Sequence, residues 1–343
     1  MSIRLKSILV SVTEACHVGC AHCGFIGSTR DRETEADDLT GWVRQICDYG
    51  VPLVIFTGGE PFERFDALEA AVATATGRGT PTASFTSSFW ASSFDTARAM
   101  LARLAGIRHL YLSSDIYHQK RVPFANVHNV IDAADSLGSP EITICITYAT
   151  EEDRRGVHDA YARYGSRLRF YEERVIPTPF ITKLVRNQDP LRGFTPDDYE
   201  PTCWIDTPIV NPNGDLFGCH VGKVGAHGNF EDLPYWLGNL RRATFTELMH
   251  AAASNLPYQF LRSRGPQGVA ELFVAYPHLK QAVGRAGFTG RCDMCFSVLS
   301  TAEGRGALAD YVQRPEVIDQ IDIGLFARFQ EPPVEPPRLE ALA

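Results

Sequence analysis

The chain has no run of about 18 uninterrupted apolar residues, so no segment of it reads as a membrane-crossing helix. Its first residues, Met1 to Lys6, lack the charged-then-apolar layout of a secretory signal, and a cytoplasmic location is the expectation. It also lacks a basic excess: 33 Lys and Arg stand against 41 Asp and Glu, for a net charge of -8, and no long basic run occurs. Duplex nucleic acid and an anionic membrane are thereby set aside as partners, and a small molecule or a peptide fits better. Without an export signal, the nine cysteines do not read as a disulfide framework, because cytosolic thiols are kept reduced. Only Cys47 and Cys145 stand apart; the other seven fall into one tight triplet, one tight pair and two singles in the second half, which points to metal or cluster ligation.

What is present suits a soluble enzyme. At 343 residues, with 44% hydrophobic and 22% charged content, the chain is long enough for one large core and a smaller appendage, and two domains are expected. From residue 7 to about 175, short β-rich apolar runs alternate with amphipathic segments of helical length, the pattern of βα units around a parallel sheet. Strands are expected over Ser7 to Thr13, Val51 to Thr57, Thr82 to Ser87, Ile107 to Ser114, Glu141 to Thr147 and Leu168 to Val175. Helices are expected near 36–49, 63–77, 94–104, 123–137 and 151–164. The pattern predicts an α/β fold, an open partial (β/α)6 barrel, in which the loops leaving the C-terminal ends of the strands build the active site. The cysteine triplet follows the first strand, Gly58-Gly59-Glu60-Pro61 the second, Ser87-Ser88 the third, and Asp115 with His118 the fourth.

Beyond the barrel, residues 176–200 are Pro-rich and polar (Pro177, Pro179, Pro190, Pro196) and read as a linker. Residues 201–300 read as a smaller α+β domain, with a hairpin from Ile209 to Cys219 whose Asn213-Gly214 supplies a positive-φ turn. In the segment 301–330, Ala307 to Phe329 reads as one or two helices, and the tail 331–343, with four prolines, as disordered.

Cys16-x3-Cys20-x2-Cys23 is compact enough for three thiolates to meet one metal centre. A 4Fe-4S cluster usually takes four cysteines, so three leave one iron open to bind a substrate. A zinc site completed by His17 or His22 has overlapping spacing, but its place at the mouth of a βα barrel favours the cluster. In the second half, Cys203-x15-Cys219-x72-Cys292-x2-Cys295 offers four ligands, which by spacing suit either tetrahedral zinc or a fully ligated 4Fe-4S cluster.

The triplet, together with Thr57-Gly58-Gly59-Glu60-Pro61 on the second strand, resembles the signature of the radical S-adenosylmethionine (SAM) superfamily. The resemblance implies that the open iron binds the amino and carboxylate groups of SAM and that the Gly-Gly-Glu-Pro backbone contacts its methionine amino group. Two glycines allow close main-chain approach, and Pro61 keeps the preceding residue extended. Relatives place an aromatic residue just before the last cysteine, where this chain has His22, with Phe25 two positions after that cysteine. Ser87-Ser88 stand where relatives carry polar residues that touch SAM, and the same pair is also ordinary turn chemistry. The second-half cysteines, with a Pro-x-Gly hairpin ahead of Cys219, resemble the auxiliary-cluster extension called the twitch domain, the shorter relative of SPASM. That resemblance implies a second 4Fe-4S cluster that carries electrons, and a reductant such as flavodoxin or ferredoxin.

Strand alternation gives a separate expectation. If the Ile and Leu residues of each strand face the outer helices, then Ser84, Thr86, Tyr111, Ser113, Asp115, Thr143, Cys145 and Thr147 face the lumen. Such a lining suits a polar substrate and water, although Cys145 also reads as an ordinary buried thiol. Asp115 and His118, at the mouth of the fourth strand, could bind substrate or shuttle protons, and Asp115 reads equally as a helix cap. Glu172, Glu173 and Arg174 end the sixth strand, where Arg174 could pair with the SAM carboxylate or lie on a solvated rim. Cofactor contacts are thus expected from residues 57–61, Ser87, Ser113 and Arg174.

These readings converge on a radical SAM oxidoreductase. A 5'-deoxyadenosyl radical would abstract hydrogen from a small polar substrate, with net two-electron oxidation. Twitch-bearing relatives that dehydrogenate aminocyclitols and amino sugars set the expected substrate type, and a barrel beginning by residue 7 leaves no room for an N-terminal peptide-recognition domain. The alternatives are radical modification of a ribosomal peptide, a radical epimerase with Cys145 as hydrogen donor, and a zinc-stabilised binding module that never touches SAM. The aromatic run from Phe230 to Trp236 reads by default as packing.

Overall fold

The structure, a computed structural model, describes residues 3–20, 22–23, 33–175, 203–219, 230–284, 288 and 290–330. The expected linker at 176–200, the expected tail at 331–343 and Phe25 lie outside the described residues. The described residues fall into two compact units, one of 7–175 with Val210–Asn213, the other of 3–6, 203–209 and 214–330.

In the first unit β1 (Ile8–Thr13), β2 (Val54–Gly58), β3 (Thr82–Thr86), β4 (Ile107–Ser113), β5 (Glu141–Tyr148) and β6 (Arg169–Arg174) alternate with five helices. These are α1 (Ala36–Tyr49), α2 (Phe65–Thr76), α3 (Phe94–Arg103), α4 (Phe124–Leu137) and α5 (Glu151–Tyr161). The strands lie in the order β6-β5-β4-β3-β2-β1, all parallel, so order in the sheet follows order in the chain, as in a partial barrel of βα units. Local chemistry sets the helix ends. In α1, Leu39, Trp42, Val43 and Ile46 bury one face at helical spacing, and Gly50 closes the helix at φ 89. Ser93 caps α3 by accepting from the Thr96 N–H, and Thr150 forms a capping box with Asp153 at the start of α5.

Register assigns the faces of the sheet. Val10, Phe56, Ser84, Leu110 and Ile142 stand side by side across five strands. All are buried, which marks the side covered by helices. On the other face Phe85, Tyr111, Thr143 and Arg169 form one row, Ser113, Cys145 and Tyr171 the next, and Thr147 with Glu173 a third. The expected inward set therefore holds for Tyr111, Ser113, Thr143, Cys145 and Thr147. It fails for Ser84 and Thr86, which share the row parity of Leu110 and Leu112. The physical reason is that β3 reads TASFT and has no Ile or Leu to set its phase. Phe85 turns inward and stacks on Tyr111, with ring centroids 4.7 Å apart.

The second unit is mostly helical. β8 (Asp215–Phe217) pairs antiparallel with β9 (Trp236–Asn239), and Asp215 accepts from the Trp236 indole at 3.2 Å and from the Asn239 amide at 2.9 Å. β7 (Ile209–Val210) precedes β8 in the chain, and Gly214 has the positive φ, 91, expected of it. Six helices follow: α6 (Phe245–Ala253), α7 (Leu256–Ala275), α8 (Leu279–Val283), α9 (Arg291–Leu299), α10 (Ala302–Tyr311) and α11 (Pro315–Phe329). Gly265, at φ 57, and Pro266 kink α7. Arg328 of α11 donates to the Arg262 carbonyl of α7 at 2.6 Å.

Candidate active site

The chain leaves β1 at Thr13 and passes directly over the end of β2. The Gly59 and Glu60 N–H groups donate to the Thr13 and Ala15 carbonyls at 2.6 and 2.8 Å. A Cβ on Gly58 would lie 2.1 Å from the Thr13 carbonyl oxygen, and one on Gly59 would lie 2.1 Å from that of Ala15. The two glycines are thus needed for the crossing of two protein strands, in addition to any approach by a ligand. Glu60 is buried, and one of its carboxylate oxygens accepts the Ser87 N–H and hydroxyl at 2.8 and 2.6 Å while the other accepts the Phe62 N–H at 3.2 Å. Ser87, expected to touch SAM, is therefore held by Glu60. Its neighbour Ser88 has φ 66 and a buried hydroxyl with no partner among the described residues. Thr57, on the inner face, is half-buried beside Ser11.

The loop after β1 carries the cysteine triplet. Cys20 is buried and packs with Val18, Tyr117, Val122, Ala149 and Val175, while Cys16 and Cys23 are half-buried against the same cluster. Cys16 is raised by burial, against N–H groups of Gly19 and Val18 aimed at its sulfur. Cys20 is raised further, by burial first and then by Asp115, Cys23 and Cys16. The three thiols are within electrostatic reach of one another, with backbone donors directed at sulfur, which is the donor set a thiolate-bound metal centre needs. His17 and His22 point elsewhere. The backbone N–H and Nδ1 of His17 meet one Glu63 oxygen at 2.7 and 2.6 Å, which holds the ring on α2's side of the loop.

Burial lowers His22 to about 4, so it is neutral at neutral pH. Its Nε2 lies 4.0 Å from Asp115, its ring 4.6 Å from Tyr117 and 5.2 Å from His118, and its Nδ1 has no partner among the described residues. Asp115 is buried and accepts the Tyr117 and His118 N–H groups at 2.9 and 3.0 Å on one oxygen and His118 Nδ1 at 2.9 Å on the other. Burial would raise this carboxyl, but the bonds and charges of His118, with His22, outweigh it and hold it below the ordinary value. Asp115 thus pins the turn after β4 from within the protein, not as a surface cap. Sequence reasoning missed its meeting with His22, which is 93 residues earlier and carries no local signal.

Cys145 is half-buried on the inner face, between Ser113 and Tyr171, and burial pushes its thiol up to about 12 with help from Asp115 and Glu173. Arg174 has the opposite parity. It shares the outer row with Tyr148, lies 3.9 Å from Glu151 of α5 and is 62% exposed. That placement corrects its expected role as partner of the SAM carboxylate. Glu172, two positions earlier, likewise turns out, to Arg154 at 2.9 Å and to His158.

In the second unit Cys203, Cys219, Cys292 and Cys295 line one cavity with Ile205, Tyr235, Leu261, Pro266, Arg291, Phe296 and Leu299. Burial raises Cys295, followed by Cys203, Cys292 and Cys219, so the four thiols converge. None of the nine cysteines forms a disulfide. Four convergent thiols, with no imidazole among the described lining residues, fit a fully ligated metal centre.

Residues 10–162, which span β1 to the end of α5, match the family model of the Radical SAM superfamily. This part of the chain is a radical SAM domain, which implies a 4Fe-4S cluster and SAM. Among curated proteins, a 66-residue stretch is 38% identical to a probable GTP 3',8-cyclase of Methanothermobacter marburgensis, covering 19% of this chain and 22% of that protein. A 153-residue stretch is 28% identical to the probable GTP 3',8-cyclase of Methanocella arvoryzae, covering 42% of this chain and 48% of that one. The chain thus spans less than half the length of these relatives. Among solved structures, anSMEcpe with AdoMet and the Cp18Cys peptide superposes with a TM-score of 0.46 at 12% identity, over 92% of this chain and 99% of that one. BtrN in complex with AdoMet and 2-DOIA gives 0.43 at 14%, over 73% and 84%. Among the described residues no helix is long and apolar enough to cross a membrane.

Proposed function

We propose that this chain cleaves SAM reductively, abstracts a hydrogen atom from a small polar substrate of the aminocyclitol or amino sugar type, and oxidises it by two electrons. In this reading Cys16, Cys20 and Cys23 hold the SAM-binding cluster. Cys203, Cys219, Cys292 and Cys295 hold an auxiliary 4Fe-4S cluster of the twitch or SPASM kind. The observation that carries the reading is the convergence of those four thiols in one apolar cavity. The clusters supply electron transfer; a flavodoxin or ferredoxin is the fitting reductant.

The chain's own residues divide the remaining work. Gly58, Gly59 and Glu60 brace the cysteine loop, and Glu60 fixes the Ser87 turn. Tyr111, Ser113, Thr143, Cys145 and Thr147 line the inner face. The carboxylates Asp115 and Glu173 flank Cys145, which suits a substrate amine better than a triphosphate. Arg154 and Arg174 turn outward to Glu172 and Glu151, so neither adds positive charge to this face.

A second reading is favoured by Cys145 itself. A protonated thiol on the inner face is equipped to return a hydrogen atom to a substrate radical, which would make the enzyme an epimerase. Cys145→Ala then keeps SAM cleavage and loses epimerised product; unchanged turnover removes that reading.

The decisive experiment is 5'-deoxyadenosine formation by anaerobically reconstituted protein under a strong reductant, with iron content, beside a Cys16/Cys20/Cys23→Ala variant. Cleavage in the wild type, lost in the variant while about four irons remain, is expected. Colourless protein that binds zinc and no iron, with oxygen excluded, would overturn the proposal.

A further inference from the structure

Tyr235 directly precedes β9, with 4% of the residue exposed and no hydrogen-bond partner for its hydroxyl among the described residues. A buried phenol ordinarily finds one. The groups that act on this hydroxyl electrostatically are Cys219, then Cys295, then Cys292, so it sits among three of the four thiols of the second unit.

Its position is fixed from both sides. The Tyr235 carbonyl accepts the Gly218 N–H at 2.7 Å, next to Cys219. The ring meets Phe296 edge-on at 5.9 Å, next to Cys295. Ile205, Leu261, Pro266, Phe296 and Leu299 make most of the remaining lining apolar, and Arg291, its one charged member among the described residues, carries donors only. Among the described lining side chains, only the thiol sulfurs can accept the phenol proton.

We propose that the Tyr235 hydroxyl donates a hydrogen bond to a sulfur of the metal centre held by Cys203, Cys219, Cys292 and Cys295, and thereby sets the reduction potential of that centre. The proposal rests on the auxiliary-cluster reading above. A donor aimed at a cluster sulfur stabilises the more negative, reduced state and raises the potential. In an apolar cavity the bond is not diluted by water. Arg328 and Arg291, whose charges lower the Cys203 thiol, act in the same direction.

The test is Tyr235→Phe in the full chain, in the Cys16/Cys20/Cys23→Ala background so that only the second centre is observed. Reductive titration followed by electron paramagnetic resonance reads the reduced-to-oxidised ratio at fixed ambient potential. The ratio should fall roughly fivefold in Tyr235→Phe, about what one hydrogen bond commands. A deuteron coupling in the reduced signal after exchange into D2O should disappear with it. The near-isosteric change keeps the ring, and equal iron content in the two proteins confirms that the site still assembles. Equal ratios and an unchanged deuteron coupling, with about four irons in each, overturn the role of Tyr235 alone. An absence of iron from the parent variant overturns the auxiliary-cluster reading, and this proposal with it.

Discussion

One carboxylate oxygen of Glu60 accepts both the backbone N–H and the hydroxyl of Ser87, at 2.8 and 2.6 Å, and so ties the end of β2 to the end of β3. Burial raises the Glu60 carboxyl above its ordinary 4.5, opposed by hydrogen bonds from Ser87, Phe62 and Thr86. The folded protein therefore holds this proton more tightly than the unfolded chain does. The resulting stabilisation is fully present below about pH 4.5 and is lost as pH rises through the folded-state value. Glu60→Gln, uncharged throughout, should flatten that part of the profile of melting temperature against pH. Glu60→Ala should cost about 2–4 kcal/mol, because it strands the donors of Ser87, Phe62 and Thr86. A Glu60→Gln profile that parallels the wild type would refute the raised value.

The crossing of β1 over Gly58 and Gly59 gives a steric prediction. Gly59→Ala puts a methyl 2.1 Å from the Ala15 carbonyl oxygen, and Gly58→Ala puts one 2.1 Å from the Thr13 carbonyl oxygen at a φ of +142. Each should lose about 3 kcal/mol or more. The control is Gly41→Ala in α1, where nothing lies within 4 Å, which should gain about 0.5–1 kcal/mol. Urea unfolding of the three variants checks the order; equal stability of Gly59→Ala and wild type would contradict the crossing.

Much of this arrangement was legible from periodicity, because a strand or helix advertises its own face. Leu110, Leu112, Ile142, Ile144 and Ile146 fixed the phases of β4 and β5, and so correctly placed Tyr111, Thr143 and Cys145 inside. β3 offers no such marker, and a one-residue phase error turned Ser84 and Thr86 to the wrong side. Arg174 was misplaced for a related reason: β6 reads RFYEER, with charge on both faces, and only Arg154 and His158 of α5 reveal which is outer. Pairings of distant residues, Glu60 with Ser87 or Tyr235 with the thiols, follow from tertiary packing and leave no periodic trace.

The outward turn of Thr86 can be tested separately. Its hydroxyl accepts the Trp90 indole N–H at 2.9 Å and the Ser88 N–H at 3.1 Å, all three groups buried. Thr86→Val keeps the shape and removes the acceptor, leaving two buried donors unpaired. A loss of about 2–4 kcal/mol is expected in chemical denaturation. A lumenal Thr86 would instead tolerate the change, so a near-neutral variant would restore the opposite phase for β3.

Cys145 supplies the last prediction. Burial, with Asp115 and Glu173 adding to it, pushes the thiol up to about 12. At pH 8 its thiolate fraction is then ~10⁻⁴, against roughly a fifth for an ordinary thiol of pKa about 8.5. Alkylation by iodoacetamide, which attacks through the thiolate, should be on the order of a thousandfold slower at Cys145 in the folded protein than at the same residue in denaturant. The folded-state rate should climb about tenfold per pH unit up to the limit of folding, since deprotonation controls it. Peptide mapping by mass spectrometry resolves Cys145 from the other eight cysteines. A fast, pH-independent reaction would mean an ionised thiol, and an ionised thiol has no S–H bond from which to return a hydrogen atom. The same labelling curve therefore decides whether the epimerase reading survives before any substrate is identified.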